Sequence, residues 1–196
     1  MDWKGVMKSV FVVFGTRPEA IKMCPVIEKL RDSKEFVCKV ILTGQHREML
    51  DQMLNVFSIK ADYDLNLMKE KQTLQDITIG TIIGVSNIIK KEKPNLLMVH
   101  GDTTTSYAGA LAAFYEKTPV AHIEAGLRTY NMHEPFPEEF NRKSIDSISD
   151  YLFAPTEEAK KNLLDENEKL EKLAKIPFRI NPGRLAVSYF YHYLGF

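Results

Sequence analysis

The chain is 196 residues long, with 26 Lys+Arg against 26 Asp+Glu, and it is 44% hydrophobic and 27% charged. Domains commonly run to roughly 100–200 residues, so this length fits one α/β domain with a modest appendage and leaves no room for a second full domain. The balance is that of a globular protein. Without an excess of positive charge nucleic acid is not an expected partner, and the apolar run at residues 10–14 is far short of the ~20 residues of a membrane span, which predicts a cytoplasmic protein with no membrane contact.

In chain order, residues 9–14 form a β-branched and aromatic run that ends at Gly15 and Thr16, after which Pro18 and Glu19 open a helical pattern through Ile21, Ile27 and Leu30. Residues 36–43 read as a second strand. A second helix over 46–57 sets Met49, Leu50, Met53, Leu54 and Phe57 on one face. A loop rich in Asp62, Asp64 and Asn66 leads to a long helical stretch at 73–91, which Pro94 stops. Then come a strand at 95–100, a helix at 104–115, a strand at 119–123, a helix at 136–148 and a short strand at 151–154. Thr156 caps one more helix, with Glu157 and Glu158 at its positive end. Strands alternating with helices predict a doubly wound parallel sheet covered on both faces. Cys24 and Cys38 fall in a helix and a strand and read as buried free thiols, with no metal site. From 165 onward the chain turns charged, then Pro/Gly-punctuated and aromatic. The expectation is a domain at 1–167 and, at 168–196, a tail that leaves the strand and helix rhythm.

Ligands of open parallel sheets lie beyond the carboxyl ends of the strands, so the residues following each strand are the candidates. After the first strand, Arg17, Lys22 and the helix N-terminus form a seat suited to a diphosphate, or else a plain helix cap. After the fourth, Gly101 lets the backbone pass close to a ligand. Asp102 either caps the following helix, the favoured reading, or points into the cleft. Glu124 closes a buried strand, where an unpaired charge is expensive; pairing with Arg128 is the structural alternative to a functional role. Glu138 and Glu139 occupy a first helical turn, where carboxylates are favourable for dipole reasons alone, more so as an account of Glu139 than of Glu138. Asp102, Glu124 and Glu138 facing Arg17 and Lys22 would suit acid–base work on an anionic substrate.

The stretches FGTRPEAIKMCPVI, TGQHREMLDQ, MKEKQTLQDI, VHGDTTTSYAGALAAFY, HIEAGLRT, PFPEEFNR and FAPTEEAKKNLL, in this order and spacing, resemble the non-hydrolysing UDP-N-acetylglucosamine 2-epimerases over about residues 8–167. The resemblance implies the Rossmann-like N-terminal domain of a two-domain GT-B-type architecture with the active site in the cleft. It implies interconversion of UDP-N-acetylglucosamine and UDP-N-acetylmannosamine without metal or cofactor, by elimination of UDP across C1 and C2 and its re-addition. By motif position, Asp102, Glu124 and Glu138 are the catalytic carboxylates, Glu138 suiting a base better than an acid. Arg17 and Lys22 hold the phosphates. Gln45, His46, Lys71 and Gln72 correspond to a region where bacterial members bind a second, activating substrate molecule, although Lys71 stands where many relatives carry Arg, a residue it does not replace in bidentate contacts. The resemblance also implies a homodimer and a product destined for surface polysaccharide.

Family members are about twice as long, and their second domain supplies a catalytic histidine and most uridine contacts. His192, in the unmatched tail, is no substitute. The sequence-level expectation is therefore a truncated or frameshifted chain with low activity. Two other functions remain open: a GT-B-type glycosyltransferase, and a non-catalytic nucleotide-sugar-binding module whose aromatic tail covers surface a second domain would bury.

Overall fold

The computed structural model describes residues 7–44, 47–67, 69–174 and 185–187. Strand β1 (Lys8–Phe14) is followed by α1 (Arg17–Asp32), β2 (Phe36–Leu42), α2 (Arg47–Val56), β3 (Tyr63–Asp64), α3 (Leu74–Glu92), β4 (Leu96–His100) and α4 (Thr104–Tyr115). Then come β5 (Val120–Ile123), α5 (Glu138–Ile148), β6 (Tyr151–Ala154), α6 (Glu157–Ala174) and β7 (Leu185–Val187). All seven strands pair in parallel in the order β3-β2-β1-β4-β5-β6-β7. The expected doubly wound α/β sheet is present. Its order reverses between β1 and β4, and the chain leaves these neighbours toward opposite sides, which opens a crevice at their carboxyl ends.

The two-residue period of β1 divides the core. Val10, Val12 and Phe14 face Met23, Cys24 and Ile27 of α1 and Leu50 and Leu54 of α2, whereas Phe11 and Val13 face Val85 and Ile89 of α3 and Ala110 and Ala113 of α4. A strand covered on both faces must be apolar at every position, as residues 10–14 are. Cys24 and Cys38 are buried and free. Burial pushes their thiols up to about 12 and about 11, so neither offers a thiolate at neutral pH.

Two strands depart from the sequence reading. β3 lies in the stretch expected to be a loop. It has only two residues, too few to show alternation, and it is held by the Phe11–Tyr63 ring stack and by Asp62, whose carboxylate accepts the Val40 N–H at 2.8 Å. β7 lies in the tail that was expected to leave the rhythm, yet Leu185, Ala186 and Val187 pair with Leu152, Phe153 and Ala154 of β6. Three apolar residues among Pro, Gly and aromatic neighbours carry no periodic signal. Helix α6 also runs past residue 167, the expected boundary, to Ala174.

Candidate functional site

Three turns meet at the carboxyl ends of β1, β4 and β5. The turn between β1 and α1 is organised by Glu19, a buried carboxylate that accepts the N–H groups of Gly15 at 3.0 Å and Thr16 at 2.8 Å and the Thr16 hydroxyl at 2.8 Å. Its other oxygen takes the Thr103 hydroxyl at 2.7 Å and lies 2.9 Å from Ser106 Oγ. One side chain thus ties the β1–α1 turn to the β4–α4 turn across the crevice. With its oxygens filled by hydroxyl and amide donors, Glu19 needs no cation. Arg17, at the start of α1, is exposed.

The second turn carries Asp102. Thr103, not Asp102, caps α4: its hydroxyl accepts the Ser106 N–H at 3.0 Å. The favoured sequence reading of Asp102 as the cap is therefore corrected. Gly101 adopts φ +67°, which places Asp102 off the helix axis and frees its carboxylate to pair with Arg142 Nη2 of α5 at 2.8 Å. Burial raises the Asp102 carboxyl above its ordinary range; Arg142 opposes this, and the charges of Glu138 and Glu124 raise it further. That coupling brings the three predicted carboxylates into one electrostatic neighbourhood.

Glu124, just beyond β5, holds φ +69°, a left-handed conformation unusual for a residue with a Cβ. It does not pair with Arg128. Its Oε1 lies 2.5 Å from Lys22 Nζ, and its Oε2 lies 3.5 Å from Nε2 of His100, too far for a hydrogen bond. The His100 ring is buried with neither nitrogen hydrogen-bonded. Burial, followed by the charges of Lys22 and His122, lowers His100 to about 3, so its ring is neutral. Arg128 instead meets Asp146 at 2.8 Å and forms a fork with Glu166 at 2.9 and 2.7 Å.

Glu138 opens α5 at the rim of the crevice, whereas its neighbour Glu139 is fully buried and accepts the N–H groups of Thr129 and Tyr130, both at 3.0 Å. Glu139 is thus structural, but through these loop hydrogen bonds rather than through the helix dipole alone. Lys71 is exposed at φ +55°, and Gln72 donates to the Leu67 carbonyl at 2.6 Å, so its amide serves its own loop. Gln45 and His46 lie outside the described residues, as does His192.

Sequence reading missed Glu19, His100, His122, Asp146 and Arg142. The available signal was the imidazole in each of the apolar strands LLMVH and VAHI, because a buried ring must be neutral or paired.

The sequence model of a family described as UDP-N-acetylglucosamine 2-epimerase matches residues 28–176. The chain is 56% identical over 164 residues to the UDP-N-acetylglucosamine 2-epimerase of Neisseria meningitidis, a match covering 84% of this chain and 44% of that one. Against the Bacillus subtilis protein of the same name the figures are 53%, 84% and 43%. The fold superposes with a TM-score of 0.80 on the crystal structure of the Neisseria meningitidis UDP-GlcNAc 2-epimerase bound to UDP-GlcNAc, at 52% identity, covering 91% of this chain and 46% of that one. The chain thus spans less than half the length of these relatives.

Proposed function

Because the chain belongs to the UDP-N-acetylglucosamine 2-epimerase family, we propose that it carries the acid–base half of a site that interconverts UDP-N-acetylglucosamine and UDP-N-acetylmannosamine. The observation that carries this reading is that Asp102 and Glu124 stand at the carboxyl ends of the adjacent strands β4 and β5, paired with Arg142 and Lys22, while Glu138 opens the helix that supplies Arg142.

The C2 proton of the sugar has no adjacent carbonyl. It becomes acidic only as the C1–O bond breaks and UDP departs with the bonding pair. A carboxylate already in place must accept it at that moment, and protonation of the opposite face with return of UDP to C1 completes the inversion. Asp102 suits this work because burial and neighbouring carboxylates let it hold a proton more readily than a free carboxylate does. Lys22 and Arg17 meet the diphosphate beside the N-terminus of α1 and stabilise its departure. In the free protein Lys22 is engaged by Glu124, so diphosphate binding exchanges one anion for another and releases the Glu124 carboxylate.

Titration calorimetry tests the seat. UDP-N-acetylglucosamine is expected to bind, and Lys22→Ala to weaken binding by ~10-fold or more; no binding heat with the unaltered chain would sink the reading. Deuterium entry at C2 in heavy water tests the chemistry. It is expected to fall ~100-fold in Asp102→Asn.

A further inference from the structure

His122 sits in β5 with none of its surface exposed, and its ring faces two oxygens. Nδ1 lies 2.6 Å from Asp146 Oδ1 and Nε2 lies 2.7 Å from the Gly101 carbonyl oxygen. A neutral imidazole has one N–H and one lone pair. A carbonyl oxygen only accepts, so Nε2 must carry a proton. An ionised Asp146 also only accepts, so Nδ1 must carry one too.

The remaining alternative moves one proton from the ring to Asp146, and the surroundings oppose it. The other oxygen of Asp146 accepts the Gly126 N–H at 3.1 Å and lies 2.8 Å from Nη1 of Arg128. Burial on its own would raise the Asp146 carboxyl, but the Arg128 guanidinium and the Gly126 N–H favour its ionised form whatever the state of the ring. On the far side of Arg128 lies Glu166, which also meets Lys143 Nζ at 3.8 Å. Other charged or titratable groups near this end of the sheet include His100 from β4, Asp102 from the turn after it, Lys22 and Glu124 above them, and Glu138, Glu139, Arg142 and Lys143 from α5.

We infer that His122 is a buried imidazolium, with a proton on each ring nitrogen, and that it is the positioning residue for Asp102, holding the carbonyl that immediately precedes it. The cation fixes the Gly101–Asp102 turn from beneath while Arg142 holds the Asp102 carboxylate from the side. Its charge also favours the ionised form of Asp102 against burial and the neighbouring carboxylates. The charge state stands on the two hydrogen bonds and on the contacts that keep Asp146 ionised, whereas its acid–base consequence rests on the reading of Asp102 proposed above.

Nitrogen-15 NMR of the histidine side chains in the unaltered chain at neutral pH decides the charge state. Both His122 nitrogens are expected at protonated shifts, each with its own ring proton, and a lone-pair shift on either would overturn the inference. Carbon-13 titration of the Asp102 carboxyl then tests the positioning role. In His122→Gln, which keeps a donor toward Gly101 but lacks the charge, the Asp102 midpoint is expected to rise by about half a pH unit or more. An unchanged midpoint would reduce His122 to a packing residue. Should that variant not fold, Asp146→Asn reads the same coupling: His122 is expected to lose a proton and the Asp102 midpoint to rise. Neither measurement involves substrate, so a failed epimerase reading would show as absent UDP-N-acetylglucosamine binding with both NMR results intact.

Discussion

His100 is a neutral imidazole although Glu124, 3.5 Å away, would favour a cation there, and the reason is desolvation. A ring stripped of water, with both nitrogens unbonded and Lys22 and His122 nearby, takes up a proton only at about 3, whereas the unfolded chain takes it up near the ordinary histidine value of 6.5. The folded value lies below the unfolded one, so between the two the unfolded state binds more protons. Stability is therefore complete above the unfolded value and is lost as pH falls toward the folded one. Going from about pH 7 to about pH 4.5 should remove roughly 2–3 kcal/mol through this residue. Denaturant unfolding at the two pH values, compared with His100→Gln, measures it: the variant should show a shallower loss, and parallel curves would mean that His100 is hydrated. The sequence made the presence of a histidine at the end of an apolar strand visible but not its charge state. His100 and His122 both occupy parallel strands of the same sheet, yet one finds two acceptors and the other finds none.

Elements with a full period were legible. Helix α4 and strand β6 fall at the residues their patterns predict, and α3 starts where Thr73 and Asp76 form a reciprocal cap, the Thr73 N–H reaching the carboxylate at 2.9 Å. Strands of two or three residues were not, because pairing rather than pattern defines β3 and β7. The docking of α6 depends on one residue that periodicity also passes over. Gly126 adopts φ +86°, and a Cβ there would lie 2.3 Å from the Ala159 carbonyl oxygen and 2.8 Å from Leu163 Cγ. The carbonyl belongs to helical backbone and cannot rotate away, so α6 would have to shift as a unit, disturbing Asn162, whose amide donates to the Gly126 carbonyl at 3.0 Å, and the Arg128–Glu166 fork. Gly126→Ala is expected to destabilise by about 3 kcal/mol or more, with hydrogen exchange accelerating first in α6. A change within about 0.5 kcal/mol would show that this contact is loose.

At the scale of the molecule, alternation of strands and helices was enough to predict a parallel sheet, because crossover connections favour one hand and one arrangement. It did not order the strands. That order sets Asp102 and Glu124 on adjacent strand ends, with Glu138 at the start of the helix that supplies Arg142, a placement that no local pattern encodes. The sequence also gave no warning that its cations are already occupied, Lys22 by Glu124 and Arg142 by Asp102. On the proposed reading, this pairing determines how a diphosphate is received. With 26 basic and 26 acidic residues the chain has no net charge to draw an anion from a distance, so attraction must come from the few groups at the crevice. Arg17 is exposed and the Lys22 side chain 38% exposed, within reach of mobile ions. Calorimetric affinity for UDP-N-acetylglucosamine should accordingly fall ~5- to 10-fold between about 0.05 M and about 0.5 M salt, as screening shortens from beyond to well within the width of the site. Lys22→Ala, already weaker, should show a shallower salt dependence, since the screened contact is gone. Equal slopes for both proteins would mean that the diphosphate rests on backbone N–H groups at the start of α1 rather than on the lysine.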